Sequence, residues 1–162
     1  MYEELTKAGK EFNIKPFGGR ALMSMRLEKN WGAWTLDYRP DFTAKETGLD
    51  IFINWNKDFI GKKASLEEKK NGIKKKLVTM TIDTKDIDVT NDEAILKDNK
   101  CVGYITSGGY AHHVKKSMAL GYVPTELSEH DTTLEVEING KLYPARVTEK
   151  PLYDANGGKM RS

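Results

Sequence analysis

The chain has 162 residues, 26 of them basic and 24 acidic, for a formal charge of +2; this length allows one domain, or one and part of another, and the near balance of charge argues against nucleic acid, which calls for a basic excess. No apolar run approaches the roughly 20 residues of a membrane span, and Met1-Tyr2-Glu3-Glu4 lacks the basic and apolar regions of a signal peptide. The single Cys101 cannot make an internal disulfide, which fits a reducing compartment.

Tyr2 to Lys10 reads as a short amphipathic helix with Leu5 and Ala8 as its apolar positions and Gly9 as its stop. So short a first helix is marginal in water unless it docks on something, so the chain is expected to begin within a domain. Phe12 to Phe17 is extended, because Lys15 precedes a proline. Gly18-Gly19 reads as a turn in which the backbone takes φ > 0 or approaches something closely. After it, Ala21, Leu22, Met25 and Leu27 have the spacing of a helix with a buried stripe, over Ala21 to Lys29. Arg20 sits where a cation gains nothing from the helix dipole. It is read either as a solvated surface arginine or as a guanidinium held by the turn at the mouth of a site.

Further on, Leu49 to Trp55 alternates as a half-buried strand does. Ser65 to Asn71 reads as a helix with Ser65 and Glu68 as its capping box, and Lys69-Lys70 and Lys74-Lys75-Lys76 as a solvated face. At Gly72 the character changes to strand periods. Lys76 to Ile82, Ala94 to Leu96, Cys101 to Thr106, Lys116 to Tyr122, Thr133 to Ile138 and Lys141 to Thr148 are the predicted strands. Lys97 to Lys100 and Asn139-Gly140 are their hairpin loops. Six short strands in this length argue a small barrel or sandwich. Cys101 is expected to pack as a small apolar residue, and Ser107-Gly108-Gly109-Tyr110 to be a tight corner. Tyr104, Tyr110, Tyr122, Tyr143, Tyr153, Trp31, Trp34 and Trp55 are expected in core and rim. No catalytic constellation stands out. His112 and His113 are neighbours that would point to opposite faces of a strand, and with His130 isolated they make no zinc site.

The stretches Phe17 to Lys29, Trp31-Gly32, Pro40 to Leu49, Asp58 to Ala64, Gly103 to Tyr110, Lys116 to Pro124, Gly140 to Ala145 and Pro151 to Asp154 together resemble the folate-binding T-protein (aminomethyltransferase) family, in its order and spacing. Asp58-Phe59-Ile60-Gly61-Lys62 and Pro151-Leu152-Tyr153 lean toward the T-protein-like module of dimethylglycine and sarcosine dehydrogenases. The resemblance implies an α+β chain. Its residues 1–74 would be the tail of the folate-binding domain, a mixed α/β segment, and 75–162 a small Greek-key-like β-barrel. It implies one-carbon transfer to tetrahydrofolate from an amine derived from glycine, sarcosine or dimethylglycine. FAD would belong only to an upstream domain of the dehydrogenases.

The family's folate-holding and catalytic carboxylates lie upstream of the arginine helix. The chain alone is therefore expected to be inactive, with no catalytic residue and no metal of its own. Arg20 and Arg26 match the family's arginine element; which of the two meets folate is left open, with Arg20 favoured. The expected partners are folate, the N-terminal part of a parent enzyme and a second copy of the chain through residues 1–70, with no nucleic acid and no membrane. The expected location is the cytoplasm, or the mitochondrial matrix for a eukaryotic parent. The alternative is a non-catalytic interaction or regulatory module docking on a partner protein.

Overall fold

The structure is a computed structural model and describes residues 1–161; Ser162, the last residue of the expected barrel segment, lies outside the described residues. It is an α+β chain of three α-helices and a closed barrel. Helix α1 spans Tyr2–Ala8 and runs into a 3-10 turn, Gly9–Phe12; no residue of α1 is buried. Helix α2 spans Gly19–Glu28 and helix α3 Lys62–Asn71.

Several local expectations change. Leu49–Phe52 is a 3-10 turn and not a strand. Gly48, at φ +75°, starts it, and the amides of Leu49 and Asp50 both donate to the Ala44 carbonyl, at 2.8 and 3.1 Å. That winding removes the groups a ladder would need. Helix α3 begins at Lys62 behind Gly61, which takes φ +90°, so Ser65 and Glu68 lie inside the helix and form no capping box. Gly18 is extended (φ −87°, ψ 166°) as the N-cap of α2, and neither it nor Gly19 takes a positive φ.

The strands are β1 Lys75–Ile82, β2 Ala94–Lys97, β3 Lys100–Ala111, β4 Lys116–Pro124, β5 Thr133–Ile138 and β6 Lys141–Thr148. They close in the order β1-β4-β3-β2-β5-β6, every pair antiparallel. Strand β5 shows why: Leu134, Val136 and Ile138 alternate inward with period two and are buried, as are Met80, Ile95, Ile105 and Val147 from other strands. Two-residue turns close two hairpins, Asp98-Asn99 (φ 51° and 61°) and Asn139-Gly140 (φ 49° and 74°). These left-handed pairs match the twist of the flanking strands. Strands β3 and β4 approach closely at Gly103, where a Cβ would stand 1.9 Å from the Tyr122 carbonyl oxygen.

Strand β3 runs through Ser107-Gly108-Gly109 and does not turn a corner there. The register with β4 slips between Ile105 and Ser107, leaving Thr106 as the extra residue of a bulge. Cys101 is exposed, because its place in β3 faces outward. Tyr122 is core as expected, but Trp31 and Trp34 are exposed, at 50% and 77%, on a segment that lies outside the barrel. No helix among the described residues is long and apolar enough to cross a membrane.

Candidate functional site

Helix α2 forms because Ala21, Leu22, Met23 and Met25 are strong helix formers with no β-branched residue among them. It docks on the barrel only through its C-terminal half. Ser24 Oγ donates to the Tyr110 carbonyl at 2.7 Å, and Leu27, fully buried, packs with Ala111, Met118 and Leu120. The predicted buried stripe therefore holds at Leu27 and fails at Ala21, Leu22 and Met25, which are exposed. The two arginines part company on this helix. Six residues separate them, about 120° around the axis and about 9 Å along it. Arg20 is exposed at the first turn, and none of the ion pairs formed among the described residues includes it. Arg26 is buried at the last.

Arg26 Nη1 meets Asp37 Oδ2 at 2.6 Å and the Trp31 carbonyl at 3.3 Å. Asp37 is fully buried. Its carboxylate accepts three further hydrogen bonds: from the Ala33 amide at 2.6 Å, from Ser107 Oγ at 2.6 Å and from Thr106 Oγ1. The bulge explains how two consecutive residues of β3 reach one carboxylate, since in a regular strand they would point to opposite faces. Tyr122 on β4 adds a hydrogen bond from its hydroxyl to the Asp37 carbonyl at 2.9 Å. Burial pushes the Tyr122 hydroxyl far above its usual range, so it stays a proton donor. Burial also raises Tyr38, against the Gly32 amide that donates to its hydroxyl at 3.0 Å.

A buried ion pair is costly unless its polar atoms are satisfied. On the carboxylate side they are. On the guanidinium side Nε and Nη2 are buried with no hydrogen-bond partner. The fork of donors that remains is the shape that pairs with a carboxylate or a planar carbonyl. The segment that follows carries a cluster of aromatic rings. Trp31 stands edge-on to Tyr38 at 6.3 Å and to Phe52 at 6.2 Å, and Trp34 to Tyr38 at 5.7 Å. Tyr38 also lines a cleft of about 360 Å³ with Asn30, Thr47, Thr79 and Leu120. Among the described residues no group of three or more His, Cys, Asp or Glu side chains is placed to hold a metal ion.

Sequence reasoning singled out Arg20 and Arg26, weighed Asp37 only as one possible partner of Arg20 beside Glu28 and Asp50, and read Ser107 only as part of a tight corner; the structure pairs Asp37 with Arg26 instead. Asp37 stood in the sequence as an isolated acid in the apolar run Trp34-Thr35-Leu36-Asp37-Tyr38. That is a signal of a buried carboxylate with a cation nearby.

The fold and these residues can be set beside known proteins. Residues 75–154 match the model of the glycine cleavage T-protein C-terminal barrel domain, and residues 1–57 that of the GCVT N-terminal domain. The chain is 43% identical over 154 residues to mitochondrial dimethylglycine dehydrogenase of Rattus norvegicus, covering 94% of this chain and 18% of that protein. It is 37% identical over 142 residues to the aminomethyltransferase of Synechocystis sp., covering 86% of this chain and 38% of that protein. The chain thus spans well under half the length of either relative. In fold it matches the glycine cleavage system aminomethyltransferase T from Bartonella henselae with a TM-score of 0.85 and 24% identity, over 95% of this chain and 44% of that one. The barrel, the helix that feeds it and the sequence matches on both sides of residue 74 lead to one conclusion: the chain belongs to the glycine cleavage T-protein (aminomethyltransferase) family, and resembles within it the module carried by dimethylglycine dehydrogenases.

Proposed function

We propose that the chain is the C-terminal part of a tetrahydrofolate-dependent aminomethyltransferase module, with residues 1–74 the tail of the folate-binding domain and 75–162 its barrel. The parent reaction would be transfer of a one-carbon unit from an amine derived from dimethylglycine, sarcosine or glycine. When bound, tetrahydrofolate supplies the nitrogen that accepts this unit. FAD would belong to an upstream domain, and no residue described above is assigned to it. The observation that carries the reading is Arg26, fixed by Asp37 with its Nε and Nη2 buried and unpaired, ahead of a segment that carries the exposed rings of Trp31, Trp34 and Phe52. Folate combines a planar heterocycle, which aromatic side chains hold by stacking, with carboxylates and a ring carbonyl that accept hydrogen bonds from a guanidinium fork. Arg20 would meet the ligand from solvent, and Arg26 would bind through that fork after the residues that cover it move aside.

Within this reading the chain's own residues bind and orient. Asp37 has its carboxylate saturated by donors and is unsuited to take a proton from substrate, since a general base needs a free lone pair within reach of it. Purified chain is therefore expected to show no aminomethyl transfer and no amine oxidation. Binding to tetrahydrofolate is expected in the millimolar range, about −4 kcal/mol. The test is a titration of tetrahydrofolate followed by amide shifts of residues 17–31 in wild type, Arg20→Ala and Arg26→Lys. Weaker binding in both variants supports the reading; equal shifts in all three proteins, or none, reject it.

A second reading is favoured by the surface. Leu5, Phe12, Phe17, Ile51 and Phe52 are all exposed, and large apolar side chains left in solvent together would mark a contact surface. The chain would then act as an interaction module, self-associating through residues 1–70 or covered by the remainder of a larger enzyme. The cytoplasm, or the mitochondrial matrix of a eukaryotic parent, is the location that suits either reading.

A further inference from the structure

The C-terminal end of helix α2 is held from two directions. Glu28 Oε1 accepts the amides of His113 and Val114, at 2.6 and 3.2 Å, at the turn between β3 and β4. The Glu28 carbonyl accepts the amide of Tyr153 at 3.2 Å. Lys29 Nζ donates to the Asp154 carbonyl at 2.6 Å and faces its carboxylate at 3.3 Å. The Tyr153 ring stands edge-on to His113 at 4.2 Å. Lys159 folds back over this knot: its amide meets Asp154 Oδ1 at 3.3 Å, and its Nζ the Tyr153 hydroxyl at 3.2 Å. Residues 151–159 thus cross both the hairpin tip and the helix end.

None of residues 151–159 is buried. A segment held by a few polar contacts and one ring contact, with no buried apolar side chain, opens at a much lower free energy than the barrel core. The knot also sits next to Arg26. The amides of Lys29 and Trp31 both donate to the Arg26 carbonyl, at 3.1 and 3.0 Å, so the residue anchored to the C-terminal segment closes the helical turn that carries the arginine.

We propose that residues 151–159 form a strap that opens independently of the barrel, and that Lys29 and Tyr153 are positioning residues that act through the last turn of α2 on Arg26. Closure of the strap and binding of a ligand at Arg26 then favour each other, since coupling between two sites is reciprocal. The coupling rests on the folate reading above; the strap itself does not.

The experiment is hydrogen exchange on wild type, Lys29→Ala and Lys29→Arg, with and without tetrahydrofolate, alongside urea unfolding for global stability. In Lys29→Ala, amides of 151–159 and of 19–31 exchange about tenfold faster, the effect of losing one charged hydrogen-bond donor. The strands keep their wild-type protection, and Lys29→Arg restores both segments. Tetrahydrofolate slows exchange in 151–159 of wild type, and Lys29→Ala binds it about tenfold more weakly at the same urea midpoint as Lys29→Arg. Unchanged exchange at 19–31 in Lys29→Ala overturns the positioning role. Equal acceleration in the strands overturns the independent strap. Equal folate affinity in wild type and Lys29→Ala overturns the coupling. Absence of folate binding to wild type removes the folate reading and the coupling with it, while the ligand-free exchange still decides the strap.

Discussion

Asp37 is where one side chain decides most. Its carboxylate joins α2, the loop at Ala33 and the bulge of β3, so its loss strands a buried guanidinium and the Ser107 hydroxyl, while Thr106 keeps the Leu120 carbonyl at 3.1 Å. Asp37→Ala is expected to cost about 3–5 kcal/mol, the range for breaking a buried pair from one side, read from the urea midpoint. The double variant Arg26→Met, Asp37→Leu should cost less than Asp37→Ala alone, because both charges leave together. A double variant as unstable as the single one would show that the hydroxyl and not the charge dominates. Gly103 sets the opposite kind of limit. A Cβ there would stand 1.9 Å from the Tyr122 carbonyl oxygen, so Gly103→Ala must push β3 and β4 apart. Overpacking of this kind costs about 1–3 kcal/mol. At Gly18 nothing lies within 4 Å of the added atom, and the same substitution there should leave the midpoint nearly unmoved.

Among the elements, the strap is the one with a pH response. Burial works against the Asp154 carboxylate, but the Lys159 amide and Lys29 outweigh it and hold it below its ordinary value of 3.8. A folded-state value depressed in this way means stability that is present above about 3.8 and is lost as pH falls below that value through the folded-state one. Exchange in 151–159 should therefore rise, relative to the strands, only below about pH 4, and Asp154→Asn should remove that rise. An onset well above about pH 4 would reject Asp154 as the group responsible. Helix α2 shows the same dependence on neighbours in its packing. Its propensity makes it a helix, but the barrel reaches only its second half, which leaves Leu22 and Met25 in solvent.

At the scale of the molecule, apolar exposure is concentrated in the helical part. The barrel is closed, so it has no free sheet edge, and its core is continuous. The segment before it has helices α1 and α3 with no buried residue at all. The expected outcome is association: light scattering at tens of micromolar should show a dimer, and Leu5→Glu with Phe17→Glu should return it to monomer without shifting the barrel's unfolding. A wild-type monomer at that concentration would leave the covering of this face to another part of a larger enzyme.

The alternation in Thr133 to Ile138, the turns at Asp98-Asn99 and Asn139-Gly140 and the change of period near Gly72 made the barrel strands legible, because each is a local property of consecutive residues. The sequence matches to the T-protein family were likewise present in the order of short motifs. What the sequence by itself did not determine was everything that depends on residues far apart in the chain. Leu49 to Trp55 alternates as a strand would, yet no strand pairs with it and Gly48 winds it into a turn. Trp31 and Trp34 have the character of core residues but lie outside the barrel. What the sequence did not show was which arginine Asp37 holds, Arg26 and not Arg20. Asp37 meets Thr106 and Ser107, some seventy residues away, only because one extra residue in β3 shifts the register there. A bulge is a relation between two strands, and only the folded sheet shows which side chains it brings to the same side.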